Sequence, residues 1–228
     1  MQGSVRGRHS LAMATSATRR STATGRSPLR LLAFNCTLKA GRKRSSTDKL
    51  LRQVIDEFAK YGVESELVRI ADYDIKPGVL SNEGKGDAWP AIREKLMAAD
   101  ILLVGTPIWI GHPSSLAQRI MERMDAFLDE KDDQGRMPSY PKVLTVAVVG
   151  NEDGAHNVSA NLFQGLNDLG FTLAPNAVTY WVGEAMGETN YVDLDHVPRV
   201  VADATAMMVR NAVHLAALLK REPYPGKQ

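Results

Sequence analysis

Apolar runs alternate with segments of helical periodicity along this chain, and this alternation limits its fold more than any other feature. Buried strands are predicted at residues 29–35, 63–70, 101–104, 143–149 and 177–182. Helices are predicted at residues 48–61, 114–128 and 156–169, and from Pro198 to Leu219. Continuously apolar strands separated by helices form parallel sheets that are covered on both faces. We therefore predict an α/β, doubly wound sandwich with a five-stranded parallel sheet in the order 2-1-3-4-5.

In sheets of this order, ligands bind beyond the carboxyl ends of the strands, where the strand order reverses. That point lies here between the first and third strands. The candidate site is therefore formed by the loops after strands one, three and four, at residues 36–47, 106–115 and 150–157.

The first loop carries residue types that hold a phosphate group. Its candidate residues are hydroxyl and basic side chains near a helix start: Thr37, Lys39, Ser45, Ser46 and Thr47. Backbone N–H groups and the helix dipole favour an anion at such a position. The loop matches neither the Walker loop nor the GxGxxG fingerprint. The alternative is that Ser46 or Thr47 only caps the helix while the basic side chains are solvated.

The second loop places an aromatic side chain between apolar neighbours, beyond the predicted end of a strand. Its candidate residues are Thr106, Pro107, Ile108, Trp109, Ile110 and Gly111. Trp109 is suited to walling a flat aromatic ligand, and Gly111 permits close approach to the backbone. The alternative is that Trp109 packs in the core beside an ordinary helix cap.

The third loop has two glycines around three polar residues, a composition that favours a turn with exposed backbone amides. Its candidate residues are Gly150, Asn151, Glu152, Asp153, Gly154 and His156. A simple turn explains the same composition without a ligand. His112 and His156 are interpreted as loop or cap residues rather than metal ligands.

Together, the three loops resemble those of the NADPH-dependent FMN reductase family of flavodoxin-like proteins, over about residues 29–220. The matching segments are Pro107–Gly111, Gly150–His156 and the hydroxyl and basic residues of the first loop. Thr37 stands where the family more often has serine, and the insertion 39–44 is unusually basic. The resemblance implies a flavodoxin-like fold, FMN held by the three loops, and NADPH or NADH as co-substrate. Since the flavin carries the chemistry, no catalytic side chain and no metal are predicted.

The implied activity is passage of hydride from nicotinamide through FMN to a quinone, a flavin or another small-molecule acceptor. One alternative is a flavodoxin-type electron carrier with protein partners, which would stabilise a one-electron-reduced flavin. Another is a flavin-free domain, although a receiver domain needs carboxylates at the end of strand one, where Asn35 and Cys36 stand. Relatives commonly form dimers, so a homodimer, with residues 129–141 near its boundary, is an expectation by analogy.

Charge and cysteine content exclude several other classes of protein. Residues 1–47 hold ten Lys or Arg and no acidic residue, which leaves 18 basic against 26 acidic residues in the remainder. A basic face for nucleic acid is therefore not expected there. The single cysteine, Cys36, excludes an internal disulfide and Cys-based metal centres held by this chain alone, and it is interpreted as a buried apolar residue. No apolar run approaches the roughly 18 residues of a membrane-spanning helix.

The composition predicts three segments. Residues 1–28 are predicted to be a disordered basic arm, residues 29–221 the FMN-binding domain, and residues 222–228 a C-terminal tail. A cytoplasmic protein is expected, with an organellar location as the alternative if the arm is a transit peptide. Met13 offers an alternative start within the arm.

Overall fold

The computed structural model describes residues 27–227, and the predicted arm therefore falls outside the described residues except for Ser27 and Pro28. The central sheet contains five parallel strands: β1 (Arg30–Asn35), β2 (Glu64–Arg69), β3 (Ile101–Trp109), β5 (Val143–Gly150) and β6 (Thr172–Val182). They lie in the order β2-β1-β3-β5-β6. This order confirms the predicted doubly wound sheet. A two-residue strand, β4 (His112–Pro113), pairs antiparallel with the end of β3.

Five helices cover the two faces of the sheet. They are α1 (Ser46–Ala59), α2 (Trp89–Ala98), α3 (Ser115–Met124), α4 (Ala155–Asp168) and α5 (Arg199–Arg221). Helices α2, α3 and α4 share one apolar cluster with the side chains on one face of the sheet. Helices α1 and α5 form the other cluster with side chains such as Leu31 and Leu103 on the opposite face. Among the described residues, no helix is long and apolar enough to cross a membrane.

The structure corrects several predicted boundaries. Strand β3 continues to Trp109, so the first residues of the predicted second loop belong to a strand and a hairpin. Strand β6 begins at Thr172, but its pairing with β5 is interrupted next to Pro175, which lacks an N–H, and Asn176, whose φ is 57°. Because of this interruption, the first half of β6 lacks a continuous apolar pattern, and only its second half was predicted as a strand. Helix α3 ends at Met124 and continues as a 3₁₀ turn, Asp125–Leu128.

Helix α2 was not predicted, and a buried ion pair fixes the segment that leads into it. Arg123 of α3 and Asp87 have no exposed side-chain surface and lie 2.8 Å apart. The guanidinium also donates to the carbonyl oxygens of Lys76 (2.9 Å) and Leu80 (2.7 Å). The connection between β2 and α2 is thus tied to α3 by polar contacts, which an apolar pattern does not reveal.

The Asp87–Arg123 pair also makes the stability of the fold depend on pH. Burial alone would raise the pKa of Asp87, but hydrogen bonds from Arg123 and from three backbone N–H groups outweigh it and lower the pKa to about 2. A lowered carboxyl pKa stabilises the fold above the unfolded value of about 3.9, and this stabilisation disappears as the pH falls through about 2.

We expect Asp87→Asn to lower the free energy of unfolding at pH 7 by about 3 kcal/mol, because it leaves Arg123 buried and uncompensated. Urea unfolding at pH 7 and at lower pH measures this loss, with Asp132→Asn at an exposed ion pair as the control. The difference between wild type and Asp87→Asn should shrink as the pH approaches 2. A variant as stable as the control at pH 7 would contradict this account.

Candidate functional site

A cleft of about 340 Å³ lies at the carboxyl ends of β1, β3, β5 and β6. The predicted residues that line it are Thr37, Lys39, Ser45, Ser46, Thr47, Pro107, Ile108, Trp109, Gly150, Asn151 and Glu152. The three predicted loops therefore meet in one place. Thr106, Ile110, Gly111, Asp153, Gly154 and His156 do not line the cleft.

The first loop is shaped by the polar end of β1. The Asn35 Oδ1 accepts from the Thr37 N–H at 3.1 Å, and its Nδ2 donates to the carboxylate of Asp48 at 3.0 Å. The cap of α1 is Ser45, whose Oγ accepts from the Asp48 N–H at 3.3 Å. The alternative prediction of a cap at Ser46 or Thr47 is therefore wrong, and those two side chains line the cleft instead.

Arg69, at the end of β2, holds the backbone of the first loop. Its guanidinium donates to the carbonyl oxygens of Lys39 (2.9 Å) and Lys43 (3.2 Å), and to Asp48 (2.9 Å). Burial alone would raise the pKa of Asp48, but the hydrogen bonds and charges of Arg52 and Arg69 lower it. The ionised carboxylate and Arg69 thus fix the loop in one conformation through protein contacts alone.

The second loop is a tight β-hairpin. Ile110 and Gly111 have φ angles of 54° and 72°, the backbone of a type I′ turn. A positive φ is rare for a β-branched residue, and Ile110 is 89% exposed. Trp109 is 52% exposed and lines the cleft, so the alternative of a core-packed Trp109 is wrong. Thr106 lies inside the hairpin, where its hydroxyl accepts from the Ser114 N–H at 3.0 Å.

The third loop packs directly against this hairpin. Gly154 has a φ of 123°, and a Cβ atom there would lie 2.7 Å from the Cα of Gly111. The Asn157 Nδ2 also donates to the Gly111 carbonyl at 2.8 Å. The close approach predicted at the backbone of Gly111 is made here by the third loop, and the glycine that this contact requires is Gly154. His156 lies outside the cleft, 3.3 Å from the hydroxyl of Tyr180.

Glu152 lines the cleft and has one carboxylate oxygen without a hydrogen-bond partner among the described residues. This oxygen, Oε1, is buried. A buried acceptor without a donor is costly, so this oxygen is a candidate contact for a ligand N–H or O–H group.

The loop after β6 completes the cleft, although it was not among the predicted loops. Trp181, Met186, Gly187, Asn190 and Tyr191 line the wall opposite the three predicted loops. The Trp181 and Tyr191 rings lie 5.3 Å apart. Trp181, at the end of the fifth predicted strand, was the available signal, because it lies at the same sheet edge.

This segment is attached to the first loop by polar contacts. The Lys49 Nζ donates to the carbonyl oxygens of Val192 and Leu194, and the Ser46 Oγ accepts from the Val192 N–H at 3.2 Å. On the other side, the Asn151 Nδ2 donates to the Gly187 carbonyl at 2.7 Å.

Burial raises the pKa of Tyr191 to about 12, so its hydroxyl stays protonated and donates to Gln53.

Cys36 is buried in the apolar cluster, as interpreted from the sequence. Burial raises the pKa of its thiol well above the ordinary range. The described residues contain no group of three or more His, Cys, Asp or Glu side chains placed to hold a metal ion.

Comparison with known proteins agrees with this geometry. The family model described as NADPH-dependent FMN reductase matches residues 29–186. The chain belongs to this family. A flavoprotein of the oxidoreductase class with a flavodoxin-like fold is thereby shown, in keeping with the resemblance found in the sequence.

One curated relative and one solved structure are similar over most of the chain. The 8-demethyl-8-aminoriboflavin-5'-phosphate synthase of Streptomyces davaonensis is 33% identical over 210 residues, which are 86% of this chain and 80% of that protein. The structure of RosB with the bound intermediate 8-demethyl-8-formylriboflavin-5'-phosphate has a TM-score of 0.75 at 33% identity. The aligned region covers 86% of this chain and 82% of the RosB chain.

Another relative matches only through part of its own length. It is a protein of Mycobacterium bovis named divalent metal cation transporter MntH, 32% identical over 203 residues. The match covers 84% of this chain but only 29% of that relative.

The contact between the second and third loops gives a testable prediction. We expect Gly154→Ala to lower the free energy of unfolding by about 2 kcal/mol, because the new methyl group meets the Gly111 backbone in addition to the positive-φ strain. Gly62→Ala is the matched control, with a φ of 72° and nothing within 4 Å of the added Cβ. Urea unfolding of both variants checks this. Equal destabilisation would show that the loop contact contributes nothing.

Proposed function

We propose that this protein is an FMN-dependent NAD(P)H oxidoreductase that passes hydride from nicotinamide through bound FMN to a quinone, a flavin or another small acceptor. The observation that carries the proposal is the composition of the cleft lining. It combines hydroxyl groups and a lysine of the first loop with two tryptophans, Trp109 and Trp181. FMN combines the matching two parts, a phosphate and a flat heterocycle.

The hydroxyl groups of the first loop are arranged to donate. Thr37, Ser45 and Ser46 each accept a hydrogen bond from a backbone N–H, of Lys39, Asp48 and Val192 respectively. None of the three donates its own proton to another described residue. Their protons therefore remain for an acceptor such as a phosphate oxygen, to which charge-assisted hydrogen bonds are strong.

The aromatic part of the cleft lining fits the isoalloxazine ring. Trp109 and Trp181 supply aromatic surface for a flat ring, and Ile108 adds an apolar contact. The unsatisfied Oε1 of Glu152 needs a donor, and the pyrimidine edge of the isoalloxazine carries an imide N–H. We therefore assign Glu152 the role of orienting the ring.

When bound, FMN supplies the hydride chemistry. The residues of this chain hold and enclose it. The first loop anchors the phosphate, Glu152 fixes the ring edge, and the wall formed by Trp181 and Tyr191 keeps water from one side of the cleft. Trp109 is half exposed at the rim, which leaves room for a second ring, that of nicotinamide or the acceptor, to reach the cleft.

A second candidate function is that a flavin phosphate is the substrate rather than the resident cofactor. The similarity to the 8-demethyl-8-aminoriboflavin-5'-phosphate synthase favours it, because that relative is named for a product that is itself a modified flavin phosphate. The flavodoxin-type electron carrier remains the alternative in which protein partners replace nicotinamide.

One experiment separates these three functions. The purified chain is loaded with FMN and treated anaerobically with NADPH or NADH while its visible spectrum is recorded. The flavin is then released, and its mass is measured by mass spectrometry. We expect the flavin band to bleach and the mass to stay that of FMN. A changed mass would support flavin modification, and a bound band that neither nucleotide bleaches would favour the electron carrier. A protein that binds no flavin would refute the proposal.

The phosphate end can be tested separately. We expect FMN to bind roughly a hundredfold more tightly than riboflavin, because only FMN offers an acceptor to the donating hydroxyl groups. Thr37→Val should weaken FMN binding about tenfold and leave riboflavin binding unchanged. Thr145→Val removes a buried hydroxyl from β5 outside the cleft and is the matched control. Equal losses for the two flavins, or for the two variants, would contradict the assignment.

A further inference from the structure

A second depression lies on the outer side of the first loop and shares Ser45 with the cleft. It has a volume of about 630 Å³. Six basic residues are part of its lining: Arg42, Lys43, Arg44, Lys49, Arg52 and Arg69. Asp48 and Asp72 are its acidic residues, and we call the whole depression the basic groove.

The positive charge of the basic groove is only partly neutralised within the described chain. Asp48 is shared between Arg52 (2.7 Å) and Arg69 (2.9 Å). Arg44 pairs with Asp193 at 3.1 Å. Lys49 donates to backbone carbonyls, which satisfy its N–H groups without cancelling its charge.

Two of the basic side chains are exposed and have no partner there. Arg42 and Lys43 make no side-chain hydrogen bond and no ion pair with any residue of the range 27–227. The backbone that carries them is nevertheless fixed, because Arg69 donates to the carbonyl oxygens of Lys39 and Lys43. Gly41, next to them, takes a φ of 67° and donates its N–H to Asp72. The groove therefore presents two unpaired cations on a constrained turn, which favours an anionic ligand.

An aromatic ring lies in the same groove. Tyr73 is 45% exposed, although a ring of this size is usually more buried, and Leu67 adds apolar surface beside it. Cations beside an exposed aromatic ring match the two parts of a nucleotide, because phosphates pair with Arg and Lys while the base stacks on the ring. The FMN phosphate is assigned to the inner side of the first loop, so the groove would serve another phosphate.

We propose that the basic groove binds the adenosine phosphate half of the nicotinamide dinucleotide while its nicotinamide end lies in the cleft. This inference rests on the proposed function and makes it more specific. Arg42 and Lys43 would contact the 2′-phosphate, which NADPH has and NADH lacks, and Tyr73 would stack on the adenine. The chain then prefers NADPH because of the basic insertion between Lys39 and Arg44.

The test measures binding of the oxidised dinucleotides, which do not react with FMN. FMN-loaded wild type and the double variant Arg42→Gln/Lys43→Gln are titrated with NADP⁺ and with NAD⁺ by calorimetry. We expect the variant to bind NADP⁺ roughly five- to tenfold more weakly, as two exposed charge contacts would give, and NAD⁺ nearly as before. The NADP⁺ difference should diminish at high ionic strength. Tyr73→Leu should weaken both dinucleotides alike.

The matched control is Lys131→Gln/Arg210→Gln, which removes the same charge from exposed positions outside both the cleft and the groove. Unchanged FMN binding in every variant verifies that the fold is intact. Equal weakening of NADP⁺ and NAD⁺ by the double variant would contradict the assignment of Arg42 and Lys43 to the 2′-phosphate.

Three outcomes would overturn the inference. In the first, wild type and the double variant bind NADP⁺ equally. In the second, the double variant weakens NADP⁺ binding no more than the control Lys131→Gln/Arg210→Gln does. In the third, wild type binds neither NADP⁺ nor NAD⁺, and the nicotinamide donor of the proposed function fails as well. The failures are distinguishable because the first two leave dinucleotide binding by wild type intact.

Discussion

The parallel sheet is buried on both faces, and this constraint determines where the rest of the molecule can carry function. Helices α1 and α5 cover one face and α2, α3 and α4 cover the other, so the faces are closed to ligands. Only the ends of the strands remain accessible to a ligand, and the carboxyl ends of parallel strands share one edge of the sheet. The loops after β1, β3, β5 and β6 are thereby brought to a single cleft.

Contacts between the loops then give the cleft its shape. Asp48 and Arg69 hold the first loop, and the backbone approach of Gly154 to Gly111 holds the second and third together. The segment after β6 is attached to the first loop through Lys49 and Ser46. Because each of these contacts is made within the protein, the cleft is preorganised for its ligand, which limits the ordering cost of binding.

The sequence predicted the parts of this structure that depend on local pattern. The five strands, their order and the three loops were found because buried strands and loops after strands have local signatures. The connection that leads into α2 was not predicted, because the buried polar pair Asp87–Arg123 fixes it, although α2 itself buries Trp89, Ile92 and Leu96 at helical spacing. The first half of β6 was hidden by the interruption at Pro175 and Asn176. Tyr191 and Asn190 reach the cleft only through tertiary contacts, which no spacing along the chain encodes.

The central claim is that four loops, including the one after β6, form one site for a flavin phosphate. Backbone amide chemical shifts of isotope-labelled protein during an FMN titration test it most directly. The account predicts saturation at one FMN per chain, with the largest shifts in residues 37–47, 106–111, 150–154 and 183–191, and small shifts at the opposite sheet edge around Lys142. Shifts that leave residues 183–191 unaffected, or that centre on the opposite edge, would contradict it.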